Sequence, residues 1–135
     1  MKNNLITFLN ENPVQYMATI GLDGRPKVRP FQFMIEEEKK LYFCTSNQKN
    51  VFEEMKGNPY VELCVSNPQF AWIRLSGRVE FVSDPNIKER ILENSDFVRS
   101  IYKAADNPTF EIFYIAEAVA IYSDFSGGPP KEFEI

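Results

Sequence analysis

Between Trp72 and Val82 the side chains alternate without a break. Ile73, Leu75, Gly77, Val79 and Phe81 fall on one side, and Trp72, Arg74, Ser76, Arg78 and Glu80 on the other. Successive side chains point to opposite faces only in a strand, so this segment is a strand with one face buried. A strand of that length needs hydrogen-bonded neighbours and a second layer over its apolar face. The rest of the chain supplies these in short pieces, because nine prolines and six glycines are scattered along its whole length. No linker, repeat or low-complexity segment interrupts the 135 residues, and a single domain over 1–135 is expected.

The short pieces read in order. Leu5, Ile6, Phe8 and Leu9 make the apolar stripe of a helix that Asn12-Pro13 ends. Residues 14–20 are rich in β-formers, Gly21-Leu22-Asp23-Gly24 signals a hairpin turn, and 28–35 read as the returning strand. A charged turn at 36–40 leads into a strand over 41–45. A helix over 48–56 would bury Val51, Phe52 and Met55, with Ser46 or Asn47 as its cap and Gly57 at its C-terminal cap. Residues 60–66 read as a strand. Asp84 caps, and Pro85 opens, a helix with Ile87, Ile91 and Leu92 on its inner face. A second short helix over 96–103 uses Phe97, Val98, Ile101 and Tyr102. Residues 110–115 and 118–122 read as two last strands, apolar on both faces, and the tail from Ser126 reads as irregular. Antiparallel hairpins with helices at the start, the middle and one late crossover give a mainly β, α+β chain: a small barrel with peripheral helices.

The count of zero histidines excludes whole classes of chemistry. Ser-His-Asp and Cys-His hydrolases cannot be assembled, nor can zinc sites built on imidazole, and no metal site is expected. Cys44 and Cys64 lack CxxC spacing and sit in β-like apolar runs, so they read as small hydrophobes in a reducing cytosol. With no secretory signal and no run of about 18 apolar residues, a cytoplasmic location without a membrane partner is expected. A net charge of −4 disfavours nucleic-acid binding while leaving room for one local basic pocket.

Two stretches suggest such a pocket. In Cys44-Thr45-Ser46-Asn47-Gln48-Lys49 a strand ends, two hydroxyls follow, and a helix begins with a lysine in its first turn. Free N–H groups, hydroxyls and an amine there would cradle a phosphate; alternatively, Ser46 or Asn47 caps the helix and Lys49 is a solvated charge. In Gly24-Arg25-Pro26-Lys27-Val28-Arg29-Pro30-Phe31, alternation places Arg25, Lys27 and Arg29 on one side. Three cations on one strand face call for an anion, or else lie on a solvated hairpin face. Pro30 removes a ladder donor and suits an edge or a bulge. Trp72, beside Arg74 and Arg78, is a barrel residue or a planar wall for a ring.

The ordered set of these segments resembles the pyridoxamine 5′-phosphate oxidase-like superfamily of FMN-binding split β-barrels, in its small single-domain members. It comprises Tyr16-Met17-Ala18-Thr19-Ile20, Asp23-Gly24-Arg25-Pro26-Lys27-Val28-Arg29-Pro30, Leu41-Tyr42-Phe43-Cys44-Thr45-Ser46 with Lys49, Asn58-Pro59-Tyr60-Val61-Glu62-Leu63 and Ile73-Arg74-Leu75-Ser76-Gly77-Arg78-Val79-Glu80-Phe81. The resemblance implies FMN as cofactor and a homodimer with two sites at its interface. It implies that Lys27, Val28, Arg29 and Pro30 run along the flavin ring and that Thr45, Ser46 and Lys49, with Arg29, hold its phosphate. Trp72 is the residue expected to enter the partner's site. No catalytic residue is assigned, and the expected activity is that of an FMN-dependent oxidoreductase acting on a small-molecule substrate or electron donor. Alternatives are flavin storage or sensing without catalysis, and haem binding on the same fold. Pyridoxamine 5′-phosphate oxidases are longer and supply Arg and His to substrate from their C-terminal part. Residues 130–135 here have no such pair, so the named oxidase activity is not expected.

Overall fold

The computed structural model describes residues 2–133 and 135. Helix α1 (Lys2–Glu11) leads into a hairpin of β1 (Gln15–Ile20) and β2 (Pro26–Phe31), in register from Gln15↔Phe31 to Ile20↔Pro26. Gly24 takes a φ of 79° in its turn, a conformation a glycine adopts without strain.

The returning strand is shorter than the β-formers over 28–35 suggest, and the cause is a buried glutamine. Gln15 is fully buried, and its Nε2 donates to the carbonyls of Leu9 (2.9 Å) and Asn12 (3.1 Å). Its Oε1 accepts from the Phe33 amide at 2.9 Å, in place of a ladder bond. The chain then crosses to a new partner, with the Met34 amide donating to the Tyr42 carbonyl, and forms β3 (Ile35–Glu37) against β4 (Lys40–Ser46). The expected five-residue charged turn is only Glu38-Lys39, both at positive φ (49° and 64°), as a two-residue hairpin requires.

Helix α2 (Asn50–Gly57) starts later than the sequence suggests. Lys49 is its N-cap and makes no side-chain capping bond. Ser46 Oγ instead accepts from the Gln48 amide at 3.1 Å, and Asn47 Nδ2 donates to Pro108 and Glu111. Gly57 is the last helical residue, and Asn58, in extended conformation, closes the helix. The buried stripe is Val51, Glu54 and Met55, whereas Phe52 packs on Phe81 with ring centroids 4.9 Å apart.

Strands β5 (Tyr60–Ser66) and β6 (Trp72–Val82) match the alternation that defines them. Asp84 Oδ1 accepts from the Asn86 and Ile87 amides at the start of α3 (Pro85–Asn94), and Ser95 Oγ caps α4 (Asp96–Tyr102). The two strands expected after these helices are one continuous strand, β7 (Phe110–Ser123), which pairs with β6 along its length. The apparent gap is a bulge: the register shifts between Ser76 and Arg78, and Glu117 opposite takes a φ of 53°. Gly77 permits it, because a Cβ there would lie 2.5 Å from Ile115 Cγ2 and 2.6 Å from the Ala116 carbonyl. The tail is not wholly irregular, since β8 (Lys131–Phe133) pairs with β7.

The sheet order is β2-β1-β5-β6-β7-β4-β3, antiparallel throughout, with β8 beside β7. It curls until its ends approach: Phe31 of β2 meets Phe113 of β7 at 5.8 Å, and Phe33 meets Phe43 of β4 at 6.1 Å. Met17, Phe43, Leu63, Ile73, Leu75 and Phe113 fill the interior, with Leu5, Leu9 and Met55 from the helices. A second core under α3 and α4 packs Ile91, Leu92 and Tyr102 on Phe110 and Ile112. The barrel does not close. β2 ends the sheet on one side, and β3 pairs with β4 only as far as Tyr42, so the rest of β4 has no strand between it and β2. Pro30 lies on that edge, where its missing N–H costs no ladder bond.

Candidate functional site at the split of the barrel

The gap between β2 and β4 is a cleft of about 300 Å³. Arg29, Pro30 and Phe31 line one wall, Cys44 and Thr45 the other, and Lys49 stands at the start of α2. Its volume is at the low end for ligand sites, which run from roughly 300 to 1,000 Å³.

Four of the residues singled out in the sequence meet here: Arg29, Pro30, Thr45 and Lys49. The other four do not line the cleft. Val28 points to the opposite face of β2 and is exposed. Lys27 shares the face of Arg29 but pairs with Asp23 at 3.2 Å nearer the hairpin turn. Ser46 is occupied with the Gln48 amide. Trp72 begins β6, opposite Ser66 and Ser123, and packs on Phe125 with centroids 5.4 Å apart.

The cations of β2 find their anions inside the chain. Arg29 Nη2 lies 2.7 Å from Glu54 Oε1, and its Nη1 donates to Thr19 Oγ1 (2.8 Å) and to the Met17 carbonyl (3.2 Å). Lys49 differs, forming no ion pair among the described residues and remaining exposed at the cleft. Beside it the Thr45 side chain is buried, and its Oγ1 has no hydrogen-bond partner among the described residues. Leaving a buried hydroxyl unsatisfied costs about 1–3 kcal/mol, so a ligand that bonds to it recovers that penalty.

The far end of the cleft is apolar. Helix α4 buries Val98 and Tyr102, while Phe97 and Ile101, one turn apart on another side, are 72% and 52% exposed and lie at the mouth with Val14. Of the four apolar residues of this helix, Phe97 and Ile101 form one stripe and Val98 and Tyr102 another, and only the second faces the core. Burial pushes the Cys44 thiol up to about 12 despite the opposing pull of Lys49, which disfavours its nucleophilic thiolate form. Burial likewise raises the Tyr102 hydroxyl to about 12.

The wider comparisons agree with this architecture. The sequence model of the pyridoxamine 5′-phosphate oxidase family matches residues 1–120. A pyridoxine/pyridoxamine 5′-phosphate oxidase of Myxococcus xanthus is 33% identical over 69 residues, which are 50% of this chain and 34% of that protein. The match thus spans about a third of the length of this curated relative. Among solved structures, a NimC/NimA family protein from Clostridium acetobutylicum superposes with a TM-score of 0.88 at 33% identity, over 97% of this chain and 90% of that one. A pyridoxamine 5′-phosphate oxidase-related, FMN-binding protein from Nostoc punctiforme shares the fold (TM-score 0.73, 17% identity, 97% of this chain and 87% of that one). Split sheet, helical caps and a family match over nearly the whole sequence converge: this chain belongs to the pyridoxamine 5′-phosphate oxidase family.

Proposed function

We propose that the cleft between β2 and β4 holds FMN and that the protein is an FMN-dependent oxidoreductase. The observation that carries this reading is the buried Thr45 hydroxyl beside the Lys49 ammonium, neither with a partner among the described residues. Together they offer a donor and a charge to one terminal phosphate, and α2 begins at the same place. Phe31 and Pro30 would line one side of the flavin ring, and Phe97, Ile101 and Val14 would exclude water from the other end. Bound FMN would supply hydride and electron transfer, a chemistry that requires no histidine from the protein. The chain's part is to bind, orient and shield.

A second copy completes the site in this proposal. The outer face of the sheet carries the rows Val28-Ala18-Glu62-Ser76-Val119 and Pro30-Tyr16-Cys64-Arg74-Ile121 across five strands. Tyr16, Val28 and Tyr60 on this face are 50%, 68% and 62% exposed, an apolar surface that a second copy would cover. Pro30 borders both this face and the cleft, so a homodimer built on it would reach the ligand. Flavin storage without turnover is the alternative reading.

The test is the absorption spectrum of the purified protein and the mass of the small molecule released on denaturation. FMN, with bleaching of the flavin band by a nicotinamide donor, supports the oxidoreductase. FMN that no donor reduces supports storage, and a haem spectrum overturns both.

A further inference from the structure

We infer that Tyr102 is a further ligand-binding residue of the cleft: its hydroxyl donates a hydrogen bond to the uncharged part of the flavin, the part that FMN and riboflavin share. This inference rests on the cleft being the flavin site.

The side chain is fixed by the fold alone. Tyr102 is the last residue of α4, and Lys103 after it takes a φ of 75°, which stops the helix there. Asn107 Nδ2 donates to the Tyr102 carbonyl at 2.8 Å. The ring stacks on Phe110, which is fully buried in the second core, with centroids 4.6 Å apart and planes at 27°. A phenylalanine at 102 would make the same stacking and the same main-chain bond.

The hydroxyl is what the fold leaves unused. It makes no hydrogen bond to any described residue, although Tyr102 is only 7% exposed. Holding a hydroxyl at that depth without a partner is unfavourable, and a ligand that accepts from it removes the penalty. Unlike Thr45 Oγ1, this oxygen is not sealed by protein, and the cavity that Tyr102 lines is the cleft.

Its place along the cleft decides which part of a ligand it meets. The charge of Lys49 acts on the Cys44 thiol, and Cys44 in turn acts on the Tyr102 hydroxyl, but Lys49 is not among the groups that act on Tyr102. The hydroxyl therefore lies beyond Cys44 from the ammonium, towards the apolar end formed by Phe97, Val98 and Ile101. A phosphate held by Lys49 and Thr45 leaves this hydroxyl to an uncharged oxygen or nitrogen of the same ligand. Burial holds its ionisation at about 12, so it remains a neutral donor at any ordinary pH.

Tyr102→Phe removes the hydroxyl and keeps the ring. The full chain, stripped of ligand, is titrated with FMN and with riboflavin, and its melting temperature is read without ligand. Both ligands are expected to bind about 3- to 10-fold more weakly to Tyr102→Phe than to the original protein, the loss of one neutral hydrogen bond. The stripped variant should melt no lower than the original, because the hydroxyl it lacks had no partner in the fold. Three results overturn the inference. Affinities within about twofold for both ligands would leave the hydroxyl without a ligand. A loss confined to FMN would put it on the phosphate. A stripped variant that melts lower or does not fold would show that the hydroxyl serves the fold. If the original protein binds neither flavin, the flavin reading itself fails and this inference with it; flavin binding that Tyr102→Phe leaves intact overturns the inference alone.

Discussion

Phe31 and Phe113 meet edge to face with ring centroids 5.8 Å apart, although β2 and β7 are separated in the sheet by β1, β5 and β6. The contact brings the two sides of the open barrel together below the split. Phe113 also stacks on Phe43 at 5.7 Å, so the closure runs into the central core. Phe31 lines the cleft as well, which ties the stability of the closure to the floor of the site.

Phe31→Ala removes both. Buried Phe→Ala substitutions cost about 3–5 kcal/mol, and because Phe31 is partly exposed a loss of about 2–3 kcal/mol is expected, read by urea unfolding. Phe31→Leu should recover most of the stability, yet bind flavin more weakly than the original protein because it lacks the flat ring. Equal flavin affinity in Phe31→Leu and the original would remove Phe31 from the site.

Thr45→Val should separate stability from binding. The Thr45 hydroxyl is buried without a partner among the described residues, so a methyl in its place is expected to raise the stability of the ligand-free protein by about 1 kcal/mol. FMN affinity should fall by about tenfold, the loss of one hydrogen bond to a charged group. A variant that is both less stable and unchanged in affinity would show that the hydroxyl is serving the fold.

The outer sheet face is expected to be the dimer interface. Val28, on its edge strand β2, is 68% exposed, and Val28→Glu would place a carboxylate in the same row as Glu62. Sedimentation should show the original chain as a dimer at low micromolar concentration and Val28→Glu as a monomer with weakened flavin binding. The exposed Cys64 on that face should also react with a thiol reagent faster in the monomeric variant. A monomeric original chain that binds FMN at full stoichiometry contradicts the shared site.

Alkaline pH should unfold the protein through its buried thiol. Cys44 titrates at about 12 when folded, against an ordinary value of 9.0, so between those limits the unfolded chain has released a proton that the folded chain retains. Stability is therefore full below about pH 9 and falls as pH rises through this window. Cys44→Ala should flatten the decline of melting temperature between about pH 9 and 11, with Tyr102 supplying what remains. Parallel curves for the two proteins would mean that other groups carry the transition.

Much of this fold was legible because local pattern and tertiary environment agree. The alternation of residues 72–82 needs only a sheet with one covered face, and Asp84-Pro85 carries its own capping chemistry. Where the reading failed, a distant residue had taken over a local role. Gln15 draws the chain away from β1 at Phe33, and nothing near residue 33 announces it. The bulge at Gly77 and Glu117 makes one strand look like two. At the site, the cations of β2 were visible while their counter-ion was not, although Glu54 stands three residues after Val51 and one before Met55. A carboxylate inside an apolar helical stripe was the available sign of a buried partner. Four of the eight expected site residues gather at the cleft; of the rest, the alternation of β2 turns Val28 away, Asp23 holds Lys27 nearer the hairpin, the Gln48 amide occupies Ser46, and Trp72 stands at the remote start of β6.

Lys49 and Thr45 are proposed to bind the phosphate of FMN in the split of the barrel. The most direct measurement is calorimetric titration of the stripped protein and of Lys49→Ala with FMN and with riboflavin. One FMN per chain is expected, and for Lys49→Ala a loss of about 1.5–3 kcal/mol, or roughly 10- to 100-fold, in FMN affinity. Riboflavin, which lacks the phosphate, should bind both proteins alike. No FMN binding to the original protein, or equal losses for the two ligands in Lys49→Ala, would contradict it.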